Sequence, residues 1–440
     1  NKNNITLKFY NIKSNELSFD KEENEHFIYI TDSTITTGNN ITDTLKLNEL
    51  IASEVKEIES ITFIFCDPDG KEESSLEIGA GIDGYKLMKF IHIHNTIFFG
   101  GNYRYLTTTD SRQSITYEHQ EIDFSSSARK TVILGEDYSN NIIASRQDDT
   151  IKSHDGDDTI DGGAGDDVIS AGGGNDNITG GTGNDTIHGG QGQYVIHGGS
   201  GDDIIYGEQG QGTIYGDDGD DTIYVGAGRW GSIINAGTGN DYIVGSIQSD
   251  KISGGEGNDT IFGGDGADTI SGGAGTDIIH GGDAMDYLMG DDGNDYISGD
   301  AGGEHSSTGN HLFGGSGNDM IFAGDSGDQI EGDRNNPEDN GRNNRGNDHL
   351  FGGKGNDELI GGRGNDFLAG GHGDDTYQFF CDDGVNIINE ECEGYNTIVF
   401  KDYFYEELLI TRHGSNLLFT SRNQGDSLRV LIKDQIVGNS

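Results

Sequence analysis

The sequence has little of what a conventional globular protein needs. Proline occurs twice, tryptophan once, methionine four times and cysteine three times in 440 residues, and hydrophobic residues make up only 31%. The low hydrophobic fraction argues against one large core. Basic residues are scarce as well, because 27 Lys and Arg stand against 77 Asp and Glu, which gives a formal net charge of −50. This charge argues against nucleic acid as a partner.

Two further absences narrow the interpretation. No apolar run approaches the roughly 18 to 20 residues that span a bilayer, so no transmembrane segment is predicted. The chain opens at Asn1 without a basic and then apolar leader, which is what we expect of a piece of a longer protein.

Cys66, Cys381 and Cys392 have no metal-ligand spacing. A disulfide between Cys381 and Cys392 would close a short loop, but buried free thiols are the preferred interpretation.

The composition divides the chain near residue 130 and again near residue 378. Residues 1–130 are ordinary in composition and are predicted to form a β-rich flanking domain with one helix over Asp43–Ile58, where apolar residues have helical spacing. The strands predicted there, from β-branched and aromatic runs, are Ile5–Tyr10, Phe27–Thr31, Ile61–Phe65, Phe90–Phe99 and Ser114–Phe124.

What the sequence has in excess is glycine, with 74 residues, and aspartate at fixed intervals. From Asp155 to Tyr377 a nine-residue pattern recurs, Gly-Gly-x-Gly-(Asn/Asp)-Asp-x-(Ile/Leu)-x, with copies such as GGEGNDTIF and GGKGNDELI. Interruptions at 304–308 and 334–344 are predicted to be loops that bulge from a regular stack. The sixth-position aspartates are Asp158, Asp167, Asp176, Asp185, Asp203, Asp221, Asp241, Asp259, Asp268, Asp277, Asp286, Asp295, Asp319, Asp328, Asp348, Asp357, Asp366 and Asp375.

The residue type at each repeat position has a physical explanation. Glycines permit positive φ, so the first six residues can form a tight loop with inward carbonyls, to which the aspartate adds an anionic oxygen. Residues seven to nine have the alternation of a very short strand whose eighth side chain points into a core. Two repeats then make one turn of a flat coil, and each loop stacks on the loop eighteen residues later. Six to eight oxygens in flexible geometry suit Ca²⁺, and soft metals are excluded because no Cys or His recurs in the loops.

This nonapeptide resembles that of the RTX (repeats-in-toxin) family, whose repeats form a parallel β-roll with Ca²⁺ between its loops. The resemblance implies a mainly β fold: a right-handed calcium-binding roll over 131–378, with the eighteen aspartates as metal ligands. The tail, which begins DDTYQFFCDDGVNII, is similar to the segment that follows such repeats in haemolysin-type calcium-binding proteins. It is therefore expected to form a C-terminal β cap over 379–440.

The resemblance also implies a function. RTX proteins are exported unfolded by bacterial type I secretion and fold in extracellular calcium, so we expect the repeat region of a large secreted toxin, with the secretion apparatus and a host-cell surface receptor as partners. The alternative is a calcium-stiffened part of an RTX adhesin or surface protein. No enzyme is expected, because the sequence has neither the His-Glu-x-x-His of zinc proteases nor the Gly-x-Ser-x-Gly of lipases.

The repeat has a gap of three aspartates. Tyr194, Gly212 and Trp230 stand at sixth positions eighteen residues apart, so all three lie on one side of the predicted roll. We expect this side to be free of calcium, with stacked glutamine amides in place of metal-bridged carboxylates. Tyr194 and Trp230 would mark a contact surface, although simple decay of the repeat explains the gap equally well.

Overall fold

The computed structural model describes the strands given below for residues 3–123, together with residues 125, 131–135, 137–299, 309–333, 345–390, 394–423 and 425–433. Both predicted interruptions, 304–308 and 334–344, lie outside these described residues, as does Phe90–Phe99. The described chain is almost entirely β and contains no α-helix.

The first six strands form two small sheets. The strands β1 and β5 pair in parallel, β6 pairs antiparallel with β5, and β2, β3 and β4 form an antiparallel sheet. The predicted helix over Asp43–Ile58 is wrong where it is described, because Leu45–Lys46 pairs with β3 as a strand and Ile58 begins β5. The bounds are β1 Asn3–Tyr10, β2 Leu17–Glu22, β3 Glu25–Ile30, β4 Leu45–Lys46, β5 Ile58–Cys66 and β6 Glu72–Ile78.

The repeats form a parallel β-solenoid of about 13 turns, as the sequence predicted. Strands alternate between two sheets, and every strand pairs in parallel with the strand one turn before and one turn after it. The first sheet contains β8 Gln120–Asp123, β10 Asn140–Ile143, β12 Thr159–Ala164, β14 Gly173–Thr182, β16 Gln191–Ser200, β18 Gln211–Asp218, β20 Ile233–Thr238, β22 Lys251–Glu256, β24 Thr269–Ala274, β26 Tyr287–Asp292, β28 His311–Ser316, β30 Gln329–Glu331, β32 Glu358–Ile360, β34 Thr376–Phe379 and β36 Thr397–Phe400.

The second sheet faces the first across the core. It contains β7 Arg104–Thr107, β9 Thr131–Leu134, β11 Thr150–Lys152, β13 Val168–Ser170, β15 Thr186–His188, β17 Ile204–Tyr206, β19 Thr222–Tyr224, β21 Tyr242–Val244, β23 Thr260–Asp265, β25 Ile278–Asp283, β27 Tyr296–Ser298, β29 Met320–Gly324, β31 His349–Lys354, β33 Phe367–His372 and β35 Val385–Ile388. Three tail strands continue it: β39 Arg429–Ile432 pairs in parallel with β35 and antiparallel with β38 Asn416–Ser421, which pairs with β37 Leu408–His413. A 3-10 turn, Tyr405–Glu407, precedes β37.

One aliphatic side chain per strand builds the core. The sequence predicted that eighth-position residues point inward, and the structure confirms this, because each is at most 1% exposed. These residues are Ile160, Ile169, Ile178, Ile187, Ile205, Ile223, Ile243, Ile261, Ile270, Ile279, Leu288, Ile297, Ile321, Leu350, Leu359 and Leu368. Because most repeat strands bury only one large side chain, the core is a narrow seam and the loops must carry much of the stability.

From β9 to β34 the register between turns is eighteen residues, except at three places. Ile214 pairs with Ile234, twenty residues on, where the sequence slips by two. Leu288 pairs with Leu312 at a spacing of 24, and Ile321 pairs with Leu350 at a spacing of 29. At all three places the inward residues still meet, so the strands stay in frame despite the longer spacing.

The outer face of the second sheet is uncharged. From Val168 to Ala369, positions seven and nine of its strands hold no Asp, Glu, Lys or Arg, although the chain as a whole is strongly acidic. Aromatic rings stack along this face, with centroids 4.8 Å apart between His188 and Tyr206 and 4.7 Å apart between Phe322 and Phe351. Such same-face neighbours stabilise the stack of turns.

The single-residue core predicts a sharp contrast between adjacent isoleucines. Ile279→Ala, at a fully buried position, should lower the free energy of unfolding in calcium by about 2 to 5 kcal/mol, because it leaves a cavity between the two sheets. Ile278→Ala, at a position 42% exposed, removes the same atoms from the outer face and should cost less than 1 kcal/mol. Urea unfolding of both variants checks this, and equal losses would contradict the inward orientation.

Candidate metal centres

The predicted aspartates form two rows along the two edges of the solenoid. All eighteen are buried, at most 3% exposed, although they lie in loops. Edge 1 comprises the loops that lead into the first sheet, and edge 2 those that lead into the second. Edge 1 holds Asp158, Asp176, Asp268, Asp286, Asp328, Asp357 and Asp375; edge 2 holds Asp167, Asp185, Asp203, Asp221, Asp241, Asp259, Asp277, Asp295, Asp319, Asp348 and Asp366.

One oxygen of each carboxylate joins neighbouring turns. The Asp185 N–H donates to Oδ1 of Asp203 at 2.7 Å, and the Asp203 N–H donates to Oδ1 of Asp221 at 2.8 Å. On edge 2 this ladder continues through the two-residue slip, where the Asp221 N–H still reaches Asp241 at 2.8 Å. The aspartates therefore serve as backbone acceptors, a role that the sequence did not reveal.

The other oxygen has no donor. On both edges Oδ2 is buried without a hydrogen-bond partner among the described residues, as in Asp185, Asp203 and Asp268. A Cβ built on Gly180 would lie 2.5 Å from Oδ2 of Asp185 and 2.5 Å from the carbonyl oxygen of Gly198, one turn later. The same point on Gly263 lies 2.5 Å from both Oδ2 of Asp268 and the carbonyl oxygen of Gly281. Only glycine, which has no Cβ, leaves this space open. We call the space the cradle; it is bounded by hydrogen-bond acceptor oxygens from two successive turns.

Loop shape depends on glycine at two positions of each repeat. In the repeat that begins at Gly263, Gly264 and Gly266 have φ of 109° and 108°, which side chains other than glycine rarely adopt. A Cβ on Gly264 would also overlap the carbonyl oxygen of Ser246 in the preceding turn. Positive φ and close stacking together hold the carbonyl oxygens and the Asp268 carboxylate in one small loop.

This donor set fits a hard cation. Buried carboxylate and carbonyl oxygens that face each other without an N–H between them need a positive charge, and such oxygens are the ligands that Ca²⁺ prefers. No group of three or more His, Cys, Asp or Glu side chains in the described part of the chain could hold a metal alone. Carbonyl oxygens from the loops must therefore complete each site, and bound calcium would supply the charge that the carboxylates lack.

Burial shifts the acidity of these carboxyl groups. It raises the pKa of Asp268 to about 8, and the charges of Asp286 and Asp250 add to the rise. It raises the pKa of Asp348 to about 9, helped by Asp366 and Asp319. Each row thus contains a carboxyl group that favours its protonated form near neutral pH when no cation is bound.

Comparison with known families agrees with this geometry. The sequence profile of the RTX calcium-binding nonapeptide repeat matches residues 134–169, 161–196, 197–229, 232–261, 253–284, 280–303, 306–337 and 343–377. The chain belongs to the RTX calcium-binding repeat family. This RTX solenoid is a structural, calcium-binding fold, and such repeats are characteristic of extracellular proteins.

Among solved structures, the RTX chain is similar to a hyperactive, Ca²⁺-dependent, β-helical antifreeze protein from an Antarctic bacterium. The identity is 19%, the match covers 67% of this chain and 88% of that one, and the TM-score is 0.33. No curated protein matches the sequence.

Sequence reasoning missed four buried aspartates. Asp149 and Asp250 stand eighteen residues before Asp167 and Asp268 and share their ladders. The Asp149 repeat has none of the three glycines of the pattern, and the Asp250 repeat has only the first, Gly245. The eighteen-residue spacing alone would have found them. Asp333 and Asp383, both 3% exposed, lie outside the sixth position and carried no signal in the repeat.

The three-aspartate gap differs from its prediction in two respects. Tyr194 is not a contact residue, because it is 3% exposed and lies inside the loops of edge 1. The third ladder position without an aspartate is occupied by Ser232, not by Trp230. The Ser232 N–H donates to Oδ1 of Asp250 at 2.7 Å, and its Oγ accepts the Gly212 N–H at 3.4 Å. Trp230 lies outside the ladder and is 70% exposed.

The structure has an amide ladder, but asparagines form it instead of the predicted glutamines. Gln193 and Gln211 lie in register, yet the described residues show no hydrogen bond between their side chains. Asparagines at the fifth repeat position form such bonds instead, where Nδ2 of Asn347 donates to Oδ1 of Asn318 and Nδ2 of Asn365 donates to Oδ1 of Asn347. The amide ladder thus lies outside the gap.

The remaining sequence predictions concern cysteine and the membrane. Cys381 is a free thiol but is exposed, so the preferred interpretation is right about its state and wrong about its burial. The side chains of Cys66 and Cys392 lie outside the described residues. No helix within the described part of the chain is long and apolar enough to cross a membrane.

The raised pKa values predict that the stability of the metal-free fold depends on pH. The folded, metal-free roll holds protons on Asp167, Asp268 and Asp357, whose pKa burial raises to about 8, at pH values where the unfolded chain, with carboxyl pKa 3.8, has lost them. Lowering the pH from 8 towards 4 should therefore stabilise the metal-free fold. Calcium that binds the folded chain must displace these protons, whereas folding of the deprotonated unfolded chain in calcium releases none between pH 6 and 8. Circular dichroism of the full chain in EGTA from pH 8 to pH 4 checks the prediction. The β-sheet signal should grow as the pH falls, and an unchanged signal would contradict the prediction.

Proposed function

We propose that this chain is the calcium-folded repeat region of a large secreted bacterial toxin. The observation that supports it best is the pair of rows of buried Oδ2 atoms, each facing a carbonyl oxygen of the next turn without a donor. A fold with this arrangement has a strong free-energy difference between its metal-free and metal-bound forms.

Calcium acts as the folding trigger in this proposal. Without it, each row brings carboxylates within a few ångströms of one another, which costs on the order of 1 kcal/mol per pair even in water-like surroundings. Extracellular calcium sites of this ligand type bind at roughly 10⁻⁴ to 10⁻³ M, so millimolar calcium stabilises only the folded chain. The chain stays unfolded in a calcium-poor cytosol and folds on reaching the outside.

This difference supports export by type I secretion, the route that the family resemblance implies. A chain kept unfolded by its own charge of −50 can pass a narrow channel, and folding on the far side prevents its return. The secretion apparatus and a host-cell surface receptor are the partners in this proposal, and the protein acts outside the bacterial cell.

A second candidate, a calcium-stiffened part of an adhesin or surface protein, is favoured by the continuous stack of about 13 turns with its uncharged aromatic face. Such a rod provides reach and a flat surface. The reading frame upstream of Asn1 separates the two candidates: apolar helices or effector domains there support the toxin, whereas long tandem domains support the adhesin.

Calcium-dependent folding has a direct test. Circular dichroism of the full chain should show the β-sheet signal in millimolar CaCl₂ and a largely unfolded spectrum in EGTA, because only the ion offsets the carboxylate rows. A fully folded sample in EGTA would overturn the proposal.

A matched pair of variants within one repeat tests the ligands. Asp259→Ala removes a buried carboxylate from GGEGNDTIF, whereas Glu256→Ala removes an exposed carboxylate from the same repeat. At calcium ten times the site's Kd, loss of one site should lower the free energy of unfolding by about 1.4 kcal/mol for Asp259→Ala. Glu256→Ala should leave the calcium midpoint within experimental error. Equal effects would show that net charge, rather than ligation, controls folding.

A further inference from the structure

Three asparagines occupy ladder positions on edge 1: Asn140, Asn310 and Asn396. The first two show what the cradle looks like when it contains a donor. Asn310 stands where the repeat frame expects an aspartate, because its Oδ1 accepts the Asp286 N–H at 2.8 Å and its own N–H donates to Oδ1 of Asp328 at 2.6 Å. Its other side-chain atom is an amide nitrogen. Nδ2 of Asn310 donates to the carbonyl oxygens of Gly299 at 3.4 Å and Ala323 at 3.3 Å.

The Ala323 carbonyl oxygen corresponds to the carbonyl oxygen that bounds the cradle in the aspartate loops. A Cβ on Gly299 would meet the Ala323 carbonyl oxygen and Nδ2 of Asn310, just as a Cβ on Gly263 meets the Gly281 carbonyl oxygen and Oδ2 of Asp268. At the ladder position itself, the two side chains differ by one atom. Where Asp268 places an acceptor against acceptors, Asn310 places a donor and satisfies them.

Asn140 repeats the arrangement at the start of the roll. Its Nδ2 donates to the carbonyl oxygens of Tyr138 at 2.5 Å and Ser153 at 3.5 Å, and a Cβ on Gly135 would lie 3.0 Å from that nitrogen and 2.9 Å from the Ser153 carbonyl oxygen. Here again the amide occupies the place that Oδ2 takes in the aspartate loops.

Tyr194 fills the same place from the neighbouring turn. Its ring enters the loop in which Gly212 has replaced the aspartate, and its hydroxyl lies beside the carbonyl oxygen of Val225, where a carboxylate from position 212 would have put Oδ2. A Cβ would collide with this side chain at Gly189, Gly207, Gly210 and Gly212. The ring therefore leaves no room for an ion, and glycine at position 212 is what admits it.

We propose that the loops of Asn140, Asn310 and Tyr194 hold no calcium, because in each of them a protein hydrogen-bond donor or an aromatic ring takes the place of the cation. This inference depends on the calcium binding proposed above for the aspartate loops. Edge 2 then carries one continuous file of sites from Asp167 to Asp366. Edge 1 carries separate groups, divided at Asn310 and over the stretch from Tyr194 to Asp250, where Oδ2 of Asp250 already accepts the Ser246 N–H. The turns of this stretch hold together without metal.

Reciprocal substitutions on edge 1 test the proposal. Asn310→Asp replaces the donor with an acceptor and should add at least one bound calcium per chain, counted by native mass spectrometry and by calorimetry. Asp268→Asn makes the opposite change in an equivalent loop; its amide can donate to Gly263 and Gly281, so the chain should fold in calcium with at least one ion fewer. The double variant should return to the wild-type count.

The outcomes separate the two levels of the proposal. A wild-type chain that binds no calcium would refute the proposed function itself. A wild-type chain that binds calcium, with Asn310→Asp or Asp268→Asn leaving the count unchanged, would refute only the assignment of metal-free loops. Circular dichroism in calcium identifies a variant that fails to fold, and the other variant then decides the question.

Tyr194→Phe tests the third loop. It removes the hydroxyl but keeps the ring, so the ion count should equal that of the wild type, because the ring already excludes calcium. Loss of an ion in Tyr194→Phe would show that the hydroxyl is a ligand and would overturn the proposal for this loop.

Discussion

The structure depends on one conflict, between a carboxylate oxygen and a carbonyl oxygen that face each other inside every regular loop. The aspartate cannot turn away, because its other oxygen accepts the N–H of the turn before it, as in the bond from Asp185 to Asp203. The glycine beside it cannot become a larger residue, because a Cβ would collide with both oxygens. The loop geometry that stacks the turns therefore also brings acceptor oxygens together. Because of this, a stack of such loops needs a cation.

Much of the fold could be predicted because each repeat position has only one physical use. An aliphatic residue recurring every nine residues could only be a core row, and Ile279 and Leu350 are buried accordingly. The eighteen-residue turn follows from two strands per coil. The different roles of the two carboxylate oxygens could not be predicted. Nothing in the sequence Gly-Asn-Asp indicates that one oxygen accepts a backbone N–H and the other does not.

The errors have physical causes too. Asp149 and Asp250 escaped notice because their loops close without the usual glycines: Oδ2 of Asp250 accepts the Ser246 N–H at 2.8 Å, so its loop satisfies itself. Tyr194 was expected outside because loop aromatics are usually exposed, yet a file of neighbouring glycines made an internal space for its ring. The helix expected over Asp43–Ile58 rested on spacing alone, and at Leu45–Lys46 pairing with a neighbouring strand prevailed over local preference.

Because each turn pairs only with the turns next to it, the solenoid has a simple mechanical character. Tension between its two ends would detach coils one at a time from an end, and each ordinary coil of eighteen residues would release roughly 60 Å of extended chain. The coils that span 24 and 29 residues would release about 80 and 100 Å. Within the repeats, a pulled molecule would thus lengthen in near-equal steps, with two longer steps at the coils of 24 and 29 residues.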